Sequence, residues 1–120
     1  FYRVLKPGGI LYVSAPFVFV HSEHPAVYYH FTVEGLQVLG RAFEHVQSGF
    51  NRGPASTMCH LLIHFNSILF SFNSEALYQV NLYLFTWLLF WIKYLDAVIG
   101  RYARSGMLYS GTYFIGRKPA

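Results

Sequence analysis

Charge is what this sequence has least of. Only 12% of its 120 residues are Asp, Glu, Lys or Arg, about half the usual share of a soluble domain. Five acids against nine bases leave a net charge of +4. The bases are scattered, so nothing assembles the grouped Lys and Arg that a phosphate backbone requires, and nucleic acid is not an expected partner. The mild positive balance fits anionic lipid or an anionic substrate better. Cysteine is nearly absent too: Cys59 stands alone, which excludes a disulfide framework within the chain and permits a reducing compartment. Its apolar neighbours point to a buried, inert thiol. Carboxylates and thiols are also too few to complete a metal shell around the six histidines. His60 and His64 have helix-face spacing for two ligands, but no Glu follows His60 as in a zincin, so no metal site is expected. No internal repeat or low-complexity tract is present.

What remains is apolar. Hydrophobic residues make up 54% of the chain and aromatic residues 20%, a composition that suits half a domain cut through its core, or a protein that touches a membrane. The first seventeen residues, FYRVLKPGGILYVSAPF, organise the rest. Phe1, Val4 and Leu5 have helical spacing, and Arg3 and Lys6 suit the negative end of a helix. Pro7 ends that helix and Gly8-Gly9 reverses the chain. Ile10 to Val13 then reads as a strand covered on both faces, as in a parallel sheet, with Pro16 stopping the pairing. Such a strand needs neighbours. The chain starts mid-helix at Phe1 with nothing upstream to provide them, so the expectation is the C-terminal portion of a larger α/β domain.

Downstream, Phe17 to His30 reads as a loop leaving the carboxyl end of that strand, where ligands of open α/β sheets usually bind. Thr32 is a good N-cap with Glu34 in the first turn. Val33, Leu36, Leu39 and Phe43 give a helix ending near Ala42 or Phe43. Phe43 to Gln47 reads as a further strand closed by Ser48-Gly49, followed by a loop at Asn51-Arg52-Gly53-Pro54. Ser56 to Phe72 is a strongly apolar helix broken at Asn73-Ser74. Glu75 to about Tyr102 is a long helix with Arg101 and Arg104 near its C-terminal end. Gly106 breaks it, and Met107 to Gly116 forms a closing strand.

Arg3-Val4-Leu5-Lys6-Pro7-Gly8-Gly9 followed by a hydrophobic strand resembles the helix-to-fifth-strand junction of class I S-adenosylmethionine-dependent methyltransferases. Ser110-Gly111-Thr112-Tyr113-Phe114-Ile115-Gly116-Arg117-Lys118 is similar to the last strand of that fold. His24-Pro25, Tyr28-Tyr29-His30-Phe31-Thr32 and Glu34-Gly35-Leu36 resemble a branch met among bacterial glycan and cell-envelope methyltransferases. The resemblance implies an α/β fold: the C-terminal part of a Rossmann-like methyltransferase sheet with an apolar helical hairpin inserted before the last strand. Residues 1–51 and 106–120 would belong to the core and 52–105 to the insertion, with the final two strands an antiparallel pair at the sheet edge. The implied reaction is methyl transfer to an oxygen or nitrogen of a small-molecule, glycan or lipid-linked acceptor, in the cytoplasm.

Within the loop, the expected catalytic residues are His24 and His30, because a His titrating near neutrality can take a proton from the nucleophile. His21, Tyr28 and Tyr29 are the expected acceptor-binding residues, since Tyr rings can line a sugar or sulfonium pocket. The plain alternative is that these side chains only tie the loop down. The resembling branch tends to carry an acid where Val27 stands and an Arg where His30 stands, so that pair is absent here. Gly8-Gly9 precedes a strand, whereas a nucleotide-binding glycine loop follows one. No cofactor-binding residue is therefore expected in this chain, and S-adenosylmethionine would be held mainly by the N-terminal half of the domain.

Leu82 to Ile92 is apolar on every side before Lys93 and Asp96 intervene. A spanning helix needs about 20 largely apolar residues, and Val80 to Ile99 reaches that length only by including Asn81, Lys93 and Asp96. Three readings stay open for residues 56–102: a span, a helix packed in protein or at a homodimer contact, and a hairpin dipping its aromatic face into the inner leaflet. The competing functional class is a non-enzymatic membrane-associated or protein-interaction module built on these helices.

Overall fold

The structure, a computed structural model, describes residues 1–21, 28–102 and 104–120. The chain divides into two compact units, Phe1–Asn51 with Tyr109–Ala120, and Arg52–Leu108. Among the described residues the architecture is mixed α/β: one three-stranded antiparallel sheet and a set of helices.

In the first unit, Ile10–Pro16 forms β1, Val33–Leu39 forms α1, Glu44–Asn51 forms β2 and Gly111–Arg117 forms β3. The sheet order is β1-β3-β2, with β3 antiparallel to both neighbours. The last strand of the chain is therefore its centre, and β3 is the best-buried strand, with Thr112 and Phe114 almost wholly enclosed. β1 does not show the two-sided burial expected of it: Ile10 and Tyr12 remain 61% and 59% exposed. Its positions alternate instead, because only one face meets the rest of the unit. Nor does Pro16 end the pairing. Opposite Gly111 it needs no N–H toward β3, and the ladder runs on through Phe17 N to Ser110 O at 3.0 Å.

The segment before β1 is a single turn, Leu5 N donating to Phe1 O. Gly8 makes the reversal at φ +77°, a conformation that glycine adopts freely. Lys118 ties this turn to the end of the sheet. Its Nζ donates to the carbonyls of Tyr2 and Leu5 at 2.8 and 2.7 Å and lies over the Tyr2 ring.

Thr32 caps α1 as expected, its Oγ1 accepting from Gly35 N at 3.0 Å. The helix stops at Leu39, three or four residues early, because Gly40 sits flat against the Phe114 ring where no Cβ would fit. Of its expected apolar face, Leu36 is buried but Leu39 is exposed. Likewise β2 runs through Ser48-Gly49 rather than closing there. Gly49 lies under the Tyr113 ring, and the strand absorbs its irregularity as a bulge between His45 and Gln47.

The second unit is a helical hairpin. Pro54–Leu69 forms α2, with Pro54 at the first turn, where its missing N–H costs nothing. The chain turns at Phe72 and Asn73, both in left-handed conformation. The expected single long helix is three consecutive pieces: α3 (Glu75–Leu89), a 3-10 stretch (Phe90–Leu95) and α4 (Asp96–Ile99). The Leu89 carbonyl, where the winding changes, accepts a hydrogen bond from Cys59 Sγ at 3.0 Å. Burial raises the pKa of that thiol, in keeping with an inert cysteine. Asp96 then reaches the start of α2, accepting from Ala55 N at 2.7 Å, Ser56 N at 2.9 Å and the Ser56 hydroxyl. A 3-10 turn at Ser105–Met107 follows, and the closing strand starts at Gly111, four residues later than expected.

Candidate functional site

Because β3 runs opposite to both neighbours, β1 and β2 point the same way and their carboxyl ends lie at one edge of the sheet. Polar side chains converge there. Ser14 on β1 donates to the Thr112 carbonyl at 3.2 Å and accepts from Asn51 Nδ2, at the end of β2, at 2.9 Å. Thr112, fully buried, donates through Oγ1 to the Phe31 carbonyl at 2.9 Å. Phe31 N donates to Pro16 O at 3.0 Å. The chain thus returns from the loop directly alongside the point at which it left β1.

The loop residues divide accordingly. His30 is brought to this edge: its Nδ1 lies 2.7 Å from the Phe17 carbonyl. A carbonyl only accepts, so Nδ1 carries a proton, which in the neutral ring leaves the lone pair on Nε2. This contact closes the loop on itself and also fixes the tautomer a proton acceptor would use. Tyr28 and Tyr29 are 83% and 73% exposed, and Tyr29 lies 6.0 Å from Phe31, ring to ring. His21 is exposed. His24 and Val27 lie outside the described residues. Nothing in the sequence singles out Ser14, Asn51 and Thr112 as site residues. Their one signal there is polarity at strand ends, which is too common to stand out before the register is known.

The glycines before β1 do not make a cofactor cradle. Gly8 N donates to Lys118 O and Gly9 N to Lys6 O, both at 2.9 Å, so neither amide is offered to a phosphate or carboxylate. β2 leads through Gly53 into α2, but the first amides of that helix, Ala55 N and Ser56 N, are already taken by the Asp96 carboxylate. The residues present do not fit S-adenosylmethionine. An apolar hollow of about 390 Å³ opens in this unit between β1, α1 and the first turn and is lined by Leu11, Val13, Leu36, Phe43 and Phe114. It lacks the converging polar groups that orient a small polar ligand.

In the second unit, His60 and His64 stack edge to face at 4.7 Å, and His64 Nδ1 lies 2.8 Å from the Tyr78 hydroxyl. Burial lowers the pKa of both rings, and for His60 the neighbouring His64 and Arg52 lower it further. Among the described residues no third His, Cys, Asp or Glu joins them to hold a metal.

Compared with family models, curated proteins and solved structures, the chain matches none of them. The class that the fold itself defines is a mixed α/β unit with a helical hairpin inserted before its last strand.

Proposed function

We propose that this chain supplies the acceptor-side edge of a class I S-adenosylmethionine-dependent methyltransferase. The enzyme would transfer a methyl group to an oxygen or nitrogen of a small-molecule, glycan or lipid-linked acceptor at the inner face of the membrane. The observation that carries this reading is the condition of β1. It is an apolar strand with Ile10 and Tyr12 largely uncovered, and among the described residues no strand pairs with its outer edge. An unpaired apolar edge of that kind is a template for another strand, and the helices that cover a parallel sheet would bury the face that Ile10 and Tyr12 expose. The antiparallel pairing of β2 with β3 is also what the resembling fold has in its final two strands. The cofactor would be held by a preceding part of a longer polypeptide, since the residues here do not fit it.

In this reading His30 and His24 serve the acceptor's proton, with His30 Nε2 as the basic nitrogen, and His21, Tyr28 and Tyr29 line the acceptor. The test is calorimetric titration of S-adenosylmethionine into the product of the complete reading frame, followed by a labelled methyl-transfer assay on glycan and lipid-linked fractions. Binding by the complete protein is expected, together with a fall in turnover of about 10²–10⁴-fold in His30→Gln at unchanged cofactor affinity. A complete protein that does not bind the cofactor would refute the proposal. Lipid binding retained in that case would favour the second reading, a non-enzymatic membrane module, which draws on the exposed aromatic face of α3.

A further inference from the structure

The run Glu75–Ile99 has two apolar faces. One turns inward: Tyr78 meets His64, Phe85 stacks on Phe70 at 5.8 Å, the Leu89 carbonyl takes the Cys59 thiol, and Asp96 caps α2. The other is uncovered. Val80, Leu84, Trp87, Trp91, Tyr94 and Val98 recur at alternating steps of four and three residues, and all are between 47% and 73% exposed. A helical run with apolar residues on more than one side belongs in a protein core or in lipid, and this one is not in the core.

We infer that this face docks on an anionic lipid bilayer, lying in the plane of the interface. Three observations select that occupant. First, charge is sorted. Asp96, the one acid in the later half of the run, is turned away into the α2 amides, while Lys93 within it and Arg101 and Arg104 just beyond its end stay exposed. The exposed charges at and just beyond the end of the run are therefore cationic, which complements anionic headgroups. Second, the residues are wrong for a second copy of the same helix. A two-helix seam favours Leu, Ile and Val at successive core positions, whereas Trp87, Trp91 and Tyr94 occupy consecutive ones. Tyr83 and Leu88 widen the band beyond a seam. Indole and phenol rings, apolar with one polar atom, suit the headgroup boundary.

Third, topology excludes a crossing. The run is long and apolar enough to span a bilayer by length and composition. However, β2 ends at Asn51 and β3 begins opposite it at Gly111, in one sheet. The chain between them must therefore return to the side it left, and an odd number of crossings is impossible. Two crossings would require α2 to span as well, and its 16 residues reach only about 24 Å against about 30 Å of hydrocarbon. An in-plane hairpin satisfies both constraints. This inference is independent of the methyl-transfer reading, and its test does not involve catalysis.

Both tryptophans of the chain lie on the proposed face, so intrinsic fluorescence reports on it directly. The purified protein is titrated with vesicles of phosphatidylcholine alone and of phosphatidylcholine with phosphatidylglycerol. Expected are flotation with the anionic vesicles, a blue shift of emission, and stronger quenching by lipids brominated near the headgroup than near the chain end. Arg101→Gln with Arg104→Gln, at exposed positions that leave the helix packing intact, should weaken partitioning about thirty-fold, roughly five-fold per cation. Leu84→Gln, a second variant on the same face, should weaken partitioning into the anionic vesicles with the cations intact. Equal binding to neutral vesicles, a blue shift that depends on protein concentration without lipid, deeper rather than shallower quenching, or no flotation would each overturn the inference.

Discussion

Removing the Asp96 carboxylate should loosen the start of a helix forty residues away in sequence. The N-cap of α2 is Gly53, which has no side chain to offer, so its first amides depend on Asp96. Ala55 is 5% exposed, and water cannot replace the carboxylate there. Its amide would bear the whole cost of a lost bond to a charged acceptor, about 1.5–3 kcal/mol. Ser56 is half-buried and regains part of its bonding from water, adding about 0.5–1 kcal/mol. Asp96→Ala should therefore destabilise the second unit by about 2–4 kcal/mol. Asp96→Asn keeps one oxygen for Ala55 but loses the charge at the positive end of α2, which costs about 1–2 kcal/mol. Gly53→Ala should reproduce the Ala variant with Asp96 intact, because its new Cβ would overlap the carboxylate. Urea unfolding measures the total, and amide exchange localises it: Ala55 and Ser56 should exchange at least about thirty-fold faster, the equivalent of 2 kcal/mol. A loss under 0.5 kcal/mol in Asp96→Ala, with unchanged exchange at those two amides, would show that the cap contributes nothing.

Gly40→Ala forces a methyl into the Phe114 ring and should cost about 1–3 kcal/mol of overpacking, read as a lower urea midpoint. Thr112→Val leaves the Phe31 carbonyl without its donor at a fully buried site; a loss of about 1–3 kcal/mol is expected, with faster exchange at Phe31. His60 and His64 both have folded pKa values below the unfolded value of 6.5. At higher pH both states are neutral and the pair is silent. As pH falls below about 6.5 the unfolded chain takes up protons first, so stability declines until the folded pKa values are passed. Urea midpoints between neutral and mildly acid pH should show that decline, and His64→Phe with His60→Phe should flatten it.

The features legible in the sequence are those decided by near neighbours. Thr32 caps α1 because the acceptor it offers is three residues from the amide it satisfies. The break expected at Asn73-Ser74 falls where Asn73 takes the left-handed backbone that Asn tolerates, although Pro54, which reads as loop, opens α2 two residues before the expected Ser56. Features decided by a distant partner read differently in the sequence. Ser48-Gly49 reads as a terminator until Tyr113 is seen lying over Gly49, and α1 reads as longer until Phe114 takes the space beside Gly40. The change of winding after Leu89 coincides with a bond from Cys59, thirty residues back. At the candidate site the same division holds. The loop histidines and tyrosines were visible as a cluster, but the Ser14–Asn51–Thr112 network exists only once three strands are in register.

The central position of β3 explains how the chain accommodates a helical unit before its last strand. Asn51 and Gly111 face each other across the ladder, so the second unit begins and ends at one point of the sheet. Closure entropy grows only with the logarithm of length, about 0.6 kcal/mol per doubling, and the hairpin's own contacts bring its ends together. The sheet therefore tolerates Arg52–Leu108 at little cost, provided that the unit is internally held. That holding is what Asp96 supplies by joining the end of the long helical run to the start of α2. The same bond takes the acid out of solvent, so one side chain closes the insertion and leaves the exposed charges at that end of the run, Lys93, Arg101 and Arg104, cationic.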